Sequence, residues 1–391
     1  MSTIAIIGAG AAGMMAAITA KQTNPNLHIT IFEKNDKIGK KILASGNGRC
    51  NIANSTFSKE NYFGYDTSFV NYALKQFDFK KIQNFFLNLG LLLDVKEDGK
   101  VYPLSNEAKA VVFVLENEAK RLGINFVFNC TVENIAQKDA KFMVQDKIFD
   151  KVLVTTGLGA APQLGATQGG LDIAKKFGHT VFPTYPSLVG LEIESSIPSR
   201  LFGVKLLSMI TLYVNDKQEE QQLGDLLFTK YGVSGFGILD ISTAASFALQ
   251  QHSKVSIALN LLPTFDRKQL LNLLSAMQKK QPKKTIEKLL QGVLPQKLIP
   301  VVIGNTIKET VNNIQNMRFE IAQTHGFKHA EVSGGGVSTS ELNDQTMQSK
   351  HVDGLYFAGE VVDIVGHRGG YNFSFAWASA YLCGRSLAQA N

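Results

Sequence analysis

The sequence predicts an α/β fold in which the two ends of the chain build one domain around a parallel sheet. Near the amino terminus, the apolar strand 3–7 runs into a glycine turn and a helix. Near the carboxyl terminus, the apolar run GLYFAG ends in a glycine and is followed by a last helix. Between these segments, from about residue 187, alternating antiparallel-type strands replace that pattern. We therefore expect both ends of the chain to belong to one α/β domain, with a stretch of different pattern between them.

The first three elements form a strand–helix–strand unit. Residues 3–7 (TIAII) are a continuous apolar run, which is typical of a parallel strand buried on both faces. Residues 11–22 are rich in Ala and Met and favour a helix, and 27–33 (LHITIFE) alternate with β-branched residues and favour a strand. Because a helix joins the two strands, we expect them to be parallel.

The remaining elements are predicted from shorter signals. Residues 34–63 resemble a loop, the runs INFVFNCTVENI and KFMVQDKIFDKVLVTT resemble strands, and helices are expected at 67–89, 106–121 and 169–177. In the insertion, SLVGLEI, VKLLSMITLYVND and KVSIALNLLP alternate like strands, whereas GDLLFTKYGVSGFGILDISTAASFAL is predicted to be a glycine-rich turn and a helix. Short helices follow at 265–316, and the last helix is expected at about 372–388.

Composition bounds the class of protein. The 391 residues are 45% hydrophobic and carry a net charge of +7, which we interpret as a solvated surface with charge spread along the chain. Cys50, Cys130 and Cys383 form no C-x-x-C pair, so we expect neither a metal site nor a redox disulfide. The sequence MSTIAIIGAG lacks signal-peptide features, and no apolar run reaches about 18 residues. We therefore expect a cytoplasmic protein without a membrane span.

The glycine turn is the first motif that carries chemistry. GAGAAG at residues 8–13 follows a strand and opens a helix, as a dinucleotide-binding fingerprint must. Gly8 permits the turn, Gly10 admits the pyrophosphate, and Gly13 allows close packing of helix and strand. Glu33 ends the second strand, where an acidic side chain accepts hydrogen bonds from a ribose diol. The motif predicts a bound dinucleotide and disfavours NADP at this position.

Three further features favour FAD over NAD. The polar, glycine-rich loop 39–51 follows the acid closely and carries two lysines that can lie near phosphate. Thr155-Thr156-Gly157 ends a strand in mid-chain, and Gly359-Glu360 ends the near-terminal strand. Gly369-Gly370-Tyr371-Asn372 opens the last helix, whose N–H groups can stabilise the reduced flavin ring. Contacts from both chain ends to one cofactor are not expected of a simple NAD dehydrogenase.

These segments resemble a known family. GAGAAGMMAA, GKKILASGNGRCNIAN, GDLLFTKYGVSG, AEVSGGGVS and GLYFAGEVVDIVGHRGGYNFSFAWASAYLCG are similar to the YhiN/BaiN-type bacterial FAD-dependent oxidoreductases, over essentially the whole chain. The resemblance implies a Rossmann-type FAD-binding domain (GR2-like, beside glutathione-reductase-like and fumarate-reductase-like flavoproteins) with an inserted β-barrel domain carrying a helical subdomain. The expected boundaries are 1–186 and 331–391 for the FAD domain, 187–262 and 316–330 for the barrel, and 263–315 for the helical subdomain.

The motif and the resemblance together give the expected cofactor contacts. Val132 is included because the resemblance implies a backbone contact from its strand to the adenine. The predicted FAD-binding residues are Gly8, Gly10, Ala11, Ala12, Gly13, Glu33, Lys34, Lys40, Lys41, Ser45, Gly46, Asn47, Gly48, Arg49, Cys50, Asn51, Val132, Thr156, Gly157, Gly359, Glu360, Gly370, Tyr371, Asn372 and Phe373.

The sequence gives fewer indications of the substrate-binding residues than of the cofactor-binding residues. One member type reduces an enone in bile acids, and such a reaction takes hydride from flavin N5 and needs a proton donor. The loop between Glu360 and Gly370 carries His367 and Arg368, which we expect to bind a carbonyl or carboxylate, with Tyr371 as an alternative donor. No second GxGxxG is found at mid-chain, so either NAD(P)H reaches the flavin only transiently as the electron donor, or another donor serves. The substrate and the oligomeric state do not follow from the sequence.

Two other functions stay open at this point. A flavin-dependent tRNA-modifying enzyme shares the glycine motif and the glycine–tyrosine helix start, but we see no dense basic stripe interleaved with aromatic residues. A non-catalytic flavin-binding protein would show no turnover. The favoured interpretation is an FAD-dependent reductase or dehydrogenase of a small organic molecule that reduces an enone or CH–CH bond.

Overall fold

The structure is a computed structural model that describes residues 2–389. It contains two compact units: unit 1 combines the chain up to Thr184 with the chain from Val332, and unit 2 is Tyr185–Glu331. The strands in chain order are β1 (Thr3–Ile7), β2 (His28–Phe32), β3 (Ala53–Asn54), β4 (Tyr62–Phe63), β5 (Leu93–Val95), β6 (Lys100–Pro103), β7 (Asn125–Val127), β8 (Ile135–Lys138), β9 (Lys141–Val144), β10 (Lys147–Phe149), β11 (Lys151–Val154), β12 (Val181–Ser187), β13 (Leu191–Glu192), β14 (Lys205–Val214), β15 (Lys217–Phe228), β16 (Gly232–Ser234), β17 (Val255–Asn260), β18 (Met317–Glu320), β19 (Gln323–Thr324), β20 (Val332–Val337), β21 (Leu355–Phe357) and β22 (Val365–Gly366). The helices are α1 (Ala11–Thr23), α2 (Lys40–Ala44), α3 (Val70–Gln76), α4 (Phe79–Asn88), α5 (Ala108–Arg121), α6 (Gly169–Lys176), α7 (Ser196–Arg200), α8 (Phe236–Gln250), α9 (Arg267–Lys280), α10 (Ile286–Leu290), α11 (Ile299–Val302), α12 (Ile307–Gln315) and α13 (Tyr371–Leu387).

The central sheet of unit 1 has the order β21-β11-β1-β2-β7. All four neighbouring pairs are parallel, and the register places Ile7 opposite both Val154 and Phe32, and Val154 opposite Phe357. The carboxyl ends of these strands therefore lie at one edge of the sheet. This confirms the predicted Rossmann-type α/β architecture and brings a strand from each end of the chain into one sheet.

Two helices cover this sheet through close contact. A Cβ atom added at Gly384 of α13 would lie 2.7 Å from the backbone oxygen of Ala16 in α1. Nine residues of α1 are buried, which explains its unbroken Ala- and Met-rich sequence. Trp377 of α13 is fully buried and donates its indole N–H to the Ile52 oxygen at 2.8 Å. Helix α13 is therefore fixed both to α1 and to the loop that precedes β3.

The predicted helix at 67–89 is two helices, α3 and α4. The break lies at Phe77 and Asp78, where the Asp78 carboxylate caps α4 by accepting the Lys81 N–H at 2.9 Å. An aspartate at this position competes for backbone donors and begins a new helix. The long loop prediction at 34–63 also missed the short helix α2.

Unit 2 contains a seven-stranded sheet of order β18-β17-β14-β15-β16-β13-β19, with antiparallel pairing. The prediction that GDLLF belongs to a turn and a helix is wrong, because these residues end the twelve-residue strand β15. The Gln- and Glu-rich start of that strand has a weak intrinsic β preference, and ten paired positions with β14 override it. The pairings among the described residues leave β18 and β19 at the two ends, and the inserted barrel stays a prediction.

The helices that follow β17 share the core of this sheet. Leu270 and Leu274 of α9 and Ile314 of α12 belong to one buried cluster with Ile257 and Leu259 of β17. The segment between β17 and β18 therefore packs on the sheet of its own unit. Over the part of the chain that the structure describes, every helix is too short or too polar to cross a bilayer.

Candidate cofactor-binding and active site

Two glycines of the first turn are required by the fold. Gly8 has φ +107°, and a Cβ atom there would lie 2.6 Å from the Thr155 backbone oxygen. A Cβ atom at Gly13 would lie 2.0 Å from the Gly8 oxygen. The Thr155 hydroxyl donates to the oxygens of Ile7 and Gly8 at 3.0 Å each. These contacts hold the ends of β1 and β11 together without any ligand.

Gly10 differs from Gly8 and Gly13, the other two glycines of the motif. It is the N-cap of α1 in an extended conformation, and a Cβ atom there would meet nothing within 4 Å. No acidic residue lies in the first turn of α1, which begins Ala11-Ala12. The N–H groups of this turn point out of the helix start and favour an anion. The fold leaves open space at the position where a dinucleotide fingerprint places its pyrophosphate.

Glu33 lies directly after β2 and is buried. Its Oε2 accepts the Ala9 N–H at 2.8 Å, and its Oε1 accepts the N–H and the side-chain amide of Asn35 at 2.8 and 2.7 Å. A carboxylate has about four acceptor sites, so these donors leave room for about one more bond. Glu33 therefore holds the glycine turn in place and can also face a ribose hydroxyl.

We expect Glu33→Gln to weaken both the fold and cofactor retention. The amide nitrogen would face N–H donors, and leaving a buried donor unpaired costs about 1–3 kcal/mol. Chemical denaturation and retention of flavin through gel filtration measure the two effects. Asn35→Ala, which removes the side-chain amide donor but keeps the backbone N–H and the carboxylate, is the matched control. Unchanged stability and unchanged retention in Glu33→Gln would contradict this role.

The predicted lysines take different positions. Lys34 is exposed. Lys40 lies 3.2 Å from the exposed carboxylate of Asp36, whereas Lys41 lies 2.7 Å from Glu360 Oε2. Glu360 Oε1 also accepts the Ser333 N–H at 2.9 Å. Lys41 thus links the loop after β2 to the residues after β21, and Lys40 is turned towards the surface.

The segment Ser45–Gly48 forms a tight left-handed turn. Gly46 and Asn47 have φ of 56° and 54°, and a Cβ atom at Gly46 would lie 3.0 Å from the Asn51 nitrogen. The Cys50 N–H donates to the Ser45 oxygen at 3.0 Å and closes the loop. Asn47, Gly48 and Arg49 are exposed at its tip. The turn presents backbone and polar side chains to solvent.

The residues that end this loop are held by burial and by contacts with β6. Burial raises the pKa of the Cys50 thiol to about 12, so it stays a neutral packed group. Asn51 Oδ1 accepts the Val101 N–H at 3.3 Å, and the Arg49 guanidinium lies 5.0 Å from the Tyr102 ring centre. Strand β6 therefore holds the end of this loop through Val101 and Tyr102.

The glycine after β21 meets the start of α1. Gly359 has φ +74°, and a Cβ atom there would lie 2.9 Å from the Ala12 Cβ. Its N–H donates to the Ser379 hydroxyl of α13 at 3.1 Å. After β11, a Cβ atom at Gly157 would lie 3.1 Å from Glu360 Oε2, and the Thr156 hydroxyl donates to the Gly157 oxygen at 3.2 Å. The three strand ends predicted to contact one cofactor are brought together.

The start of α13 is fixed by its neighbours. Gly370 is the N-cap with φ +98°, and a Cβ atom there would lie 2.2 Å from the Ala53 oxygen. The Asn372 side chain exchanges two hydrogen bonds of 2.8 Å with the backbone of Gly366. Phe373 stacks on Trp377 with ring centres 5.7 Å apart. Asn372 and Phe373 hold the loop and the helix, and their polar or aromatic groups are already engaged.

The three candidates for substrate chemistry lie in this loop. The His367 ring stacks on Phe63 at 4.8 Å, and its backbone N–H donates to the Asn61 oxygen at 2.9 Å. Tyr371 is half-buried, and its ring lies 6.5 Å from that of His367. Burial raises the pKa of Tyr371, so its hydroxyl keeps its proton at neutral pH. Arg368 is also half-buried.

Asp363 begins the same loop and is nearly completely buried. Its Oδ2 accepts the Tyr65 N–H at 2.9 Å, and burial raises the pKa of the carboxyl to about 6. The carboxyl fixes the loop to the segment after β4.

Val132 is placed differently from the prediction. The strand β7 ends at Val127, and Val132 lies buried in the connection to β8 and not in a strand. The reason is that Asn129 has φ +53° and turns the chain, after which the Cys130 N–H donates to the Glu33 oxygen at 3.0 Å. The connection still runs beside the residue expected to bind ribose.

Sequence reasoning missed Asn54, which supports the site. Its Nδ2 donates to the Gly369 oxygen at 3.0 Å, and its backbone N–H donates to the Ser374 hydroxyl at 3.3 Å. The only signal in the sequence is its place three residues after Asn51 in GNGRCNIAN.

The chain matches known proteins over its whole length. The HI0933-like protein Rossmann domain family matches residues 2–386. A 3-dehydro-bile acid delta(4,6)-reductase of Clostridium scindens is 32% identical over 408 residues, with 100% of each chain covered. A ribosomal RNA dihydrouridine synthase of Haemophilus influenzae is also 32% identical, with 98% of each chain covered. An Escherichia coli protein with the same name is 32% identical over 406 residues.

Solved structures support the fold alone. A 3-ketosteroid delta1-dehydrogenase from Sterolibacterium denitrificans aligns with a TM-score of 0.52 and 12% identity, over 99% of this chain and 100% of that chain. With the match over residues 2–386 and relatives at 32% identity, the chain belongs to the HI0933-like Rossmann flavoprotein family of the YhiN/BaiN type, a family of flavin oxidoreductases.

Proposed function

We propose that this chain is an FAD-dependent reductase of a carbon–carbon double bond conjugated to a carbonyl group. The names of the three relatives support this reaction class. A delta(4,6)-reductase acts on two ring double bonds of a 3-dehydro-bile acid, and dihydrouridine is uridine with one ring double bond saturated. In both products hydrogen is added across a C=C bond near a carbonyl group.

The observation that carries the proposal is the meeting of both chain ends at one sheet edge. The close approach of Gly359 to Ala12 and the ion pair between Lys41 and Glu360 join the first turn, the loop after β2 and the strand β21. An extended dinucleotide can contact all three, since its phosphates, ribose and ring lie along one groove.

The residues present fit FAD. Open space at Gly10 and the start of α1 suit the pyrophosphate, and Glu33 has capacity for about one more hydrogen bond from a ribose. We assign three segments to the flavin-ring end of the cofactor: the Ser45–Gly48 turn, the Gly157 turn and the start of α13. Bound FAD supplies hydride transfer.

The chain's own residues bind and protonate the substrate in this proposal. His367 and Arg368 bind the carbonyl oxygen, where negative charge develops as hydride is accepted. The Tyr371 hydroxyl donates the proton, which its raised pKa keeps in place at neutral pH. NAD(P)H is the proposed electron donor and reaches the flavin transiently.

The experiment uses the purified full-length chain. We expect flavin absorption near about 450 nm, bleaching by NADH or NADPH without oxygen, and reoxidation by a conjugated steroid ketone or by a uridine-containing RNA. A protein that carries no flavin and takes up none would overturn the proposal. Bound flavin that neither acceptor reoxidises would favour a non-catalytic flavin-binding protein.

A second candidate substrate is RNA, and one segment favours it. Residues 267–297 carry eight basic side chains and a single acidic one, Glu287. All eight are exposed, and α9 ends in Lys279 and Lys280. The positive charge is therefore concentrated in the helices of unit 2, contrary to the even spread that we expected. Exposed lysines bind phosphates without reading sequence.

We expect the fourfold change of Lys279, Lys280, Lys283 and Lys284 to glutamate to weaken binding of ribosomal RNA at least tenfold. Fluorescence anisotropy over a salt series measures it, and the slope of log Kd against log salt should fall by about 3, close to one for each lost phosphate contact. The matched control changes the exposed lysines Lys75, Lys80, Lys138 and Lys147 to glutamate. Equal loss in both fourfold variants would show only an effect of net charge and contradict a specific RNA surface.

A further inference from the structure

A cluster of metal-ligating side chains lies in unit 1, apart from the proposed cofactor residues. His179 follows the end of α6, Glu341 ends a helical turn after β20, and His351 lies between that turn and β21. Their ligand atoms all lie within 4.8 Å of one another. His179 is far in sequence from Glu341 and His351, which lie ten residues apart, and the three form no spacing motif, which is why sequence analysis did not identify them.

The His179 side chain is completely buried, and its Nδ1 is an unpartnered polar atom. Among the described residues 2–389, it is the only buried side-chain nitrogen or oxygen of this kind. Glu341 Oε2 lies 3.3 Å from this nitrogen, which is within ion-pair distance but does not meet hydrogen-bond geometry. A buried polar atom left without a partner costs about 1–3 kcal/mol, so its retention calls for a ligand.

The spacing of the three groups matches a metal coordination shell. Glu341 Oε2 lies 3.3 Å from His179 Nδ1 and 3.4 Å from His351 Nε2. Two ligands bound tetrahedrally at about 2.0–2.1 Å from zinc are about 3.3 Å apart. His351 is 42% exposed in its side chain, so it can move to close the remaining distance.

The other ring nitrogen of His179 has the partner that ligation requires. Nε2 lies 2.8 Å from the Ser349 hydroxyl, which also accepts the N–H groups of His351 and Val352 at 3.0 and 2.9 Å. A hydrogen on Nε2 leaves the Nδ1 lone pair for a metal, and metal-bound histidines almost always make such an outer contact. Ser349 therefore orients His179 and the segment that carries His351 together.

The charges of the cluster also suit a cation. His179 is completely buried beside His351, and the centres of the two rings lie 4.8 Å apart. The Thr180 N–H donates to Glu341 Oε2 at 2.7 Å. The group therefore consists of one carboxylate and two imidazoles, and one of these imidazoles is completely buried.

We propose that His179, His351 and Glu341 bind one divalent transition-metal ion of the zinc class through Nδ1, Nε2 and a carboxylate oxygen. Two imidazoles and one carboxylate are a known zinc ligand set, and water completes the four ligands. The His179 ring lies edge-on to Phe357 of β21 at 5.0 Å, so the ion would fasten the segment 338–352 beside the edge strand of the central sheet. The role that follows is structural, and it differs from the metal-free protein that the cysteine pattern predicted.

The test is zinc binding by the full-length protein after treatment with a chelator. Competition with a chromophoric chelator should give one equivalent of Zn²⁺ with a Kd in the micromolar range or below, and zinc should raise the midpoint of thermal unfolding. His351→Ala removes a half-exposed side chain, and Glu341→Gln keeps the side-chain volume. Each should weaken zinc binding at least about tenfold, because one of three protein ligands is lost.

The matched control is His325→Ala. His325 lies 2.7 Å from Glu192 and stacks on His329 at 4.1 Å, so it is a second histidine–glutamate group that lacks the buried unpartnered nitrogen. Zinc binding that survives in His325→Ala and is lost in His351→Ala supports the site. No binding below about 100 μM, or equal binding in wild type, His351→Ala and Glu341→Gln, would overturn it.

Discussion

Replacing Gly10 with alanine is expected to abolish FAD retention and to leave the fold intact. A Cβ atom at this position would meet nothing within 4 Å, and the backbone is extended with negative φ, which alanine adopts without strain. The added methyl group would instead fill the space at the start of α1 that we assign to the pyrophosphate. Close approach of backbone to phosphate is the reason for this glycine in a dinucleotide site.

The measurement compares flavin content after purification and the Kd for added FAD. We expect at least a tenfold weaker Kd, which corresponds to about 1.4 kcal/mol, with a free energy of unfolding of the flavin-free protein within about 1 kcal/mol of wild type. Gly292→Ala is the matched control, because Gly292 in unit 2 also has open space around its missing Cβ.

Gly13→Ala completes the comparison. A Cβ atom there would lie 2.0 Å from the Gly8 oxygen, so this variant should lose stability as well as flavin. If Gly10→Ala kept wild-type FAD affinity, the open space would not be the phosphate site. If Gly10→Ala unfolded as Gly13→Ala does, the glycine would serve the fold.

The difference between these glycines also shows which features of the site can be predicted from the sequence and which cannot. The motif, the strand before it and the helix after it depend on local chemistry, so TIAII, GAGAAG and the parallel sheet were predicted correctly. A pattern cannot show that Gly8 and Gly13 meet Thr155 and each other whereas Gly10 meets nothing. The contacts of both glycines with Thr155 join residues about 140 to 150 positions apart, whereas the contact of Gly13 with Gly8 is local.

Elements that depend on tertiary partners were predicted less well. The strand β15 is Gln- and Glu-rich, and only its long pairing with β14 makes it a strand. The turn after β7 depends on a left-handed Asn129, which asparagine tolerates but does not require. The His179 cluster joins two segments that are distant in sequence, and its residues form no spacing motif.

For substrate chemistry, Tyr371→Phe is expected to lower turnover about 100-fold or more and to leave FAD bound. A positioned proton donor contributes about 10²–10⁴-fold to such reactions. The change removes only the hydroxyl. The ring keeps its edge contact with Tyr62 at 6.3 Å, and the Tyr62 hydroxyl still donates to the Tyr371 backbone oxygen at 3.1 Å. A loss of activity therefore reports on the hydroxyl and not on packing.

Stopped-flow absorbance measures the turnover rate. The flavin is reduced beforehand, and its reoxidation is recorded with the conjugated acceptor that the wild-type protein uses. The control is Tyr72→Phe, because Tyr72 is also half-buried but lies on α3. This variant should react at the wild-type rate. Because burial raises the pKa of Tyr371, the wild-type donor stays protonated as pH rises through neutrality and loses its proton only above its ordinary range. The wild-type rate should therefore not fall between about pH 6 and 9 from this group.

Variants of the neighbouring residues distinguish proton donation from binding of the substrate carbonyl. Arg368→Ala should raise the acceptor concentration needed for half-maximal rate, since the cation is assigned to the carbonyl oxygen, whereas Tyr371→Phe should lower the limiting rate. If Tyr371→Phe reacted at the wild-type rate and His367→Gln lost the limiting rate, the proton would come from the imidazole that stacks on Phe63. In that case the loop 363–370 would supply the acid, and the start of α13 would act only on the cofactor.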